Sequence, residues 1–92
     1  MRPLAHIVPD ALLHLLRDAP LSNGKVGIAW RAAVGPALDR ATSVRLEGKV
    51  LLVDAPNAQW SREVMRSSPI ILKRLQDFLG ADAVERIEVR RA

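Results

Sequence analysis

The residues best suited to chemistry lie in one stretch, "WSREVMRSSPIILKR", from Trp60 to Arg74. Arg62 and Arg66 stand four apart, which places them on one face of a helix. Ser67 and Ser68 follow, then Lys73 and Arg74 about a turn later. Four basic side chains against Glu63 alone give this stretch a charge of +3, most of the net +4 of the whole chain. The periodicity predicts that one helix ends near Arg66 and that Ser68, as N-cap before Pro69, opens another. Hydroxyls and unpaired amides at such a corner suit an anion, because the helix dipole and the free donors both favour negative charge. Arginine's planar fork matches phosphate oxygens better than lysine's point charge does. Arg62, Arg66, Ser67, Ser68, Lys73 and Arg74 are therefore the candidate nucleic-acid-binding residues. The same residues also suit an ordinary solvated helix face with a capped turn, so local pattern leaves two readings open.

Other chemistry is sparse. His6 and His14 are far apart for metal ligation and have no carboxylate cluster nearby. His14 sits one helical turn after Asp10, a spacing that suits a pair on one helix face. No serine stands in a nucleophile-elbow pattern, and Glu85 and Glu88 point to opposite faces of an expected strand. Cysteine is absent, which removes disulfides and thiolate metal sites. The expectation is a protein without catalytic residues, metal or cofactor. "GKVG", Gly24 to Gly27, has the form of a phosphate-facing G-x-x-G loop, but a glycine-softened turn before a helix accounts for it as well.

These residues need a scaffold. Ninety-two residues suffice for one domain with a small core. An apolar share of 49% and a charged share of 26% are those of a globular protein. No apolar run approaches the roughly 20 residues of a membrane span, and the N-terminus lacks a secretory pattern. Eleven of the fourteen basic residues are arginine, compatible with a polyanionic partner, although a GC-rich genome and simple solubility give the same bias.

The pattern predicts an irregular lead-in over residues 1–9, then a single domain over 10–92. A first helix opens at Pro9-Asp10, with Leu12, Leu13 and Leu16 at helical spacing, and Pro20 ends it. A second runs from about Lys25 to Leu38, burying Val26, Trp30, Ala33 and Val34, until Gly35-Pro36 disturbs it. "TSVRLEGKVLLVDA" predicts a hairpin turning at Glu47-Gly48. Val44 and Leu46 face inward along its first strand, and its second is apolar on both faces. Asn57 caps the helix that carries Trp60 and Val64 toward the core. Ile71, Leu72, Leu75, Phe78 and Leu79 stripe the helix after Pro69, and Gly80 closes it. "ERIEVRR" alternates as a third strand. The order α–α–β–β–α–α–β implies an α+β fold with a three-stranded sheet and helices on one face. Trp60 reads mainly as a core anchor, with base stacking as the lesser alternative; Trp30 reads as core.

Four segments in order carry a resemblance: "AWRAAVGPALDRAT", "LEGKVLLVDAPNAQWSREV", "ILKRLQDFLG" and "IEVRR". Over about residues 10 to 91 the chain resembles the DciA-like family, long a domain of unknown function. Shared features are W-x-x-x-V-G, an apolar hairpin strand, a tryptophan opening the next helix and a last short strand. The resemblance implies a KH-like fold, α–β–β–α–α–β with a mixed sheet and one helix in front. It also implies a bacterial, cytoplasmic protein of DNA replication that binds DNA, single-stranded or as a tailed duplex, and has the replicative helicase as its partner. Arg66 to Pro69 would then occupy the place of the KH G-x-x-G loop, without its glycines. Loaders of this family carry a basic extension beyond the folded part, whereas the residues here stop at Ala92. Two rival readings are a protein-interaction module that touches no nucleic acid and an RNA-binding KH-like module. Neither a membrane nor a small-molecule substrate is expected.

Overall fold

The computed structural model describes Ala11, His14 and residues 20–91. Ala11 and His14 are helical and exposed. The expected lead-in, the apolar stripe of the first helix and the Asp10–His14 pair lie outside the described residues.

Helix α1 spans Asn23–Val34 and α2 Pro36–Ala41. Strands β1, Ser43–Glu47, and β2, Val50–Ala55, form the hairpin; α3, Ala58–Leu79, and β3, Arg86–Arg91, complete the order. Ser22 starts α1, its Oγ accepting the Lys25 amide at 3.1 Å. Gly24 and Gly27 thus lie inside the first turns of α1, so "GKVG" is helix and not a loop. At Gly35, φ is +88°, and its N–H donates to the Arg31 carbonyl at 2.8 Å. A side chain there would be strained, and Pro36 starts α2 at a position that needs no amide donor.

The sheet order is β1-β2-β3, with β1 antiparallel and β3 parallel to β2. The mixed three-stranded α+β architecture is as expected. Gly48, at φ +61°, makes the hairpin turn. Val44 and Leu46 face the helices between exposed Ser43, Arg45 and Glu47. Leu51, Leu52 and Val53 are buried in the central strand, which explains why that run is apolar on both faces. One core unites Val26, Ala29, Trp30 and Ala33 of α1, Leu51 and Val53 of β2, and Val64, Ile71, Leu75 and Phe78 of α3. Trp30 is 1% exposed, and its Nε1–H donates to Thr42 Oγ1 at 3.1 Å. The Thr42 hydroxyl in turn donates to the Leu38 carbonyl at 2.7 Å.

One expectation about the helices is corrected. Pro69 lies inside α3, which runs unbroken through "RSSP" for 22 residues. Val64, Ile71, Leu75 and Phe78 keep a single phase across the proline, so one continuous face packs on the sheet. Proline deletes one rung of the ladder and costs about 3 kcal/mol in a helix interior. Burying an uninterrupted stripe offsets that cost, since each large apolar side chain contributes about 1.5–3 kcal/mol. Pro69 and Met65, whose carbonyl loses its donor, are both exposed, so water can satisfy that group.

Candidate functional site

Continuity of α3 removes the predicted corner. The Ser67 and Ser68 amides belong to the helix ladder, and there is no second helix N-terminus to hold an anion. What α3 offers instead follows from its pitch of 100° per residue. Arg62, Arg66 and Lys73 fall within about 40° of one another around the axis, on one exposed stripe about 16 Å long. Ser67 turns toward α1 and α2, where it lines a groove, and Ser68 lies on the opposite flank, half-buried. The six candidate residues therefore do not form one cradle; three share a stripe.

Their partners differ. Arg66 Nη2–H donates to Glu63 Oε2, an exposed ion pair one turn apart. Such pairs contribute about 0–1 kcal/mol and exchange readily for another anion. Arg62 and Lys73 have no ion-pair partner among the described residues. Arg74 has a different task. Its Nη1–H donates at 2.9 Å to the Ala33 carbonyl, near the C-terminus of α1, where orphan carbonyls and the dipole attract a cation. It ties α3 to α1 and is a packing residue first.

Trp60 corrects a second expectation. It points toward the helical layer, as its spacing with Val64 requires, but it is only half-buried and lies outside the core cluster. Its backbone N–H is held by Asn57 Oδ1 at 3.0 Å, the predicted cap. Across from it α1 and α2 present Ala33, Val34, Ala37 and Leu38, too small a set to roof an indole. The result is an open groove of about 430 Å³ whose α3 wall includes Trp60, Glu63, Ser67 and Ile70. Ile70 is 59% exposed at its rim. Sequence reasoning missed this groove, although the run of small residues "AAVGPAL" facing a tryptophan was its one local trace.

Among the described residues no group of three or more His, Cys, Asp or Glu side chains is placed to hold a metal ion. Among them too, no helix is long and apolar enough to cross a membrane.

Fold and site together define a small α+β domain with a cationic helix stripe beside an apolar groove. The family model "Dna[CI] antecedent, DciA" matches residues 3–89, and the chain belongs to that family. The family is that of bacterial replicative-helicase loaders. No curated protein and no solved structure matches the chain.

Proposed function

We propose that this domain is a non-enzymatic adaptor of the bacterial cytoplasm that holds DNA by its phosphates while engaging the replicative helicase. Family membership supports the helicase as partner. The observation that carries the DNA reading is the stripe of Arg62, Arg66 and Lys73, three exposed cations on one side of one helix. Its neighbouring carboxylates are Glu63, paired to Arg66, and the exposed Asp77, one turn beyond Lys73. Rigid spacing matters, because a strand can then be neutralised without ordering three separate loops. Arriving phosphate gives Arg66 a doubly favourable partner in place of an exposed carboxylate. Ser67 faces the groove and Ser68 the opposite flank, so neither belongs to the stripe, and Arg74 stays committed to α1.

The test is a salt series with labelled single-stranded DNA, tailed duplex and blunt duplex. Three neutralised phosphates give a slope of log K against log salt of about −2 on single strands and about −3 on duplex. Arg62→Glu with Lys73→Glu, chosen because neither side chain is paired, removes most of that slope without unfolding the protein. Affinities unchanged in that double variant would overturn the stripe as the binding surface. RNA bound more tightly than DNA of the same sequence would move the adaptor from replication to RNA.

A further inference from the structure

We infer that the groove beside Trp60 receives one unpaired nucleobase, with Glu63 reading its edge, from a strand whose phosphates follow the Arg62–Lys73 stripe. This rests on the proposed DNA reading and adds to it a base pocket and a preference among bases. Three depressions lie in a row along the first turns of α3. The first, about 430 Å³, is lined by Gln59, Arg62, Glu63, Met65 and Arg66. The second, about 320 Å³, is lined by Gln59, Trp60 and Glu63. The third is the apolar groove. Glu63 lines all three and Trp60 the last two, so they adjoin as one trough. Arg62 and Arg66 stand at one end and Trp60 among mostly apolar side chains at the other, where Arg74, bonded to the Ala33 carbonyl, also lines the wall. A nucleotide has the matching order, an anionic phosphate at one end and a flat, weakly polar ring at the other.

The details of the trough favour a base over a protein segment. Trp60 has no hydrogen-bond partner for its Nε1–H among the described residues, in contrast to Trp30. Ala33 and Ala37 opposite carry small side chains, which leaves room for a flat ring against Trp60. Cations stand at the entrance, where a strand's phosphate would lie. Duplex DNA keeps its bases stacked away from such a trough, so the pocket adds affinity for single strands only.

Glu63 supplies the selection. An ionised carboxylate only accepts hydrogen bonds. Guanine offers adjacent N1–H and N2–H donors, and adenine and cytosine each offer an amino group. Thymine offers a single imide N–H between two carbonyls that repel the carboxylate. The expected order places guanine first and thymine last.

The experiment titrates the full chain with a short oligothymidylate, with the same oligonucleotide carrying one central guanine, and with a short duplex. Wild type, Trp60→Ala, Glu63→Gln, Ala37→Phe and the Arg62→Glu/Lys73→Glu double variant are compared, and thermal unfolding checks that each is folded. Trp60→Ala weakens both single strands about tenfold and leaves duplex binding unchanged. Ala37→Phe, which fills the groove from the opposite wall while leaving Trp60 and the cations unsubstituted, does the same. Glu63→Gln erases the guanine preference. Single-strand affinity unchanged in Trp60→Ala, or lost in equal measure with duplex affinity, overturns the pocket. If only the cation variant weakens binding, the stripe stands and the pocket falls. If wild type binds no oligonucleotide at low salt, both fall. Helicase binding lost in Ala37→Phe with single-strand affinity intact assigns the groove to a protein partner and overturns the base pocket.

Discussion

Trp30 and Trp60 are the same residue on the inward face of two neighbouring helices, and only one of them is core. Trp30 is closed in by α3 and the sheet, and its indole N–H is satisfied by Thr42. Trp60 faces the same layer where α1 and α2 present Ala33, Val34, Ala37 and Leu38, and it remains on the wall of a groove. Burial is thus decided by what the neighbouring element brings, not by the direction in which a side chain leaves its own helix. Arg74 marks the border between the two regions, bridging α3 to the Ala33 carbonyl. Leu38 serves both, its carbonyl holding Thr42 over Trp30 while the residue lines the groove of Trp60.

Three measurements would break or sharpen this contrast. The largest effect belongs to the closed side: Trp30→Ala lowers unfolding free energy by about 3–5 kcal/mol in urea titrations, whereas Trp60→Ala costs less than about 1 kcal/mol. Equal losses would show that the two indoles share one core. Next comes the border. Arg74→Ala costs about 1.5–3 kcal/mol, as expected for a charged donor withdrawn from a backbone carbonyl. Lys73→Ala, one residue away on the exposed stripe, stays within about 0.5 kcal/mol. Smallest is Thr42→Val, which leaves the Trp30 N–H without its acceptor and costs about 1–2 kcal/mol by thermal or urea unfolding. If Thr42→Val is neutral, packing alone closes that end.

The sheet was legible residue by residue. Alternation from Ser43 to Glu47, a glycine at the turn and an apolar run through Leu51–Val53 are local signals with a local cause, and β3 repeats the first of them. The caps at Asn57 and Gly80 were legible for the same reason. Ser-Ser-Pro misled because it is a strong helix-start signal read alone. The phase linking Val64 to Ile71, two turns later, spoke for one helix and was the better guide. It reports packing against a sheet assembled from other parts of the chain. The cationic stripe was visible as Arg62 and Arg66 four apart, but the assignment of Arg74 to α1 was not. Its acceptor is a carbonyl 41 residues away, and no window along the sequence contains both. The groove escaped for a similar reason, since it is defined by side chains that are absent opposite Trp60.

The parallel pairing of β2 with β3 also sets the order in which the chain can mature. β1 and β2 meet across a two-residue turn, whereas β2 must wait for all of α3 before Val50 finds Arg86. Contacts so distant along the chain close late. Until they do, the Val50–Val53 strand carries an unsatisfied edge rich in valine and leucine, the kind of template on which nascent chains stick to one another. Arrival of the arginine-bearing third strand covers that edge and leaves a charged rim in its place.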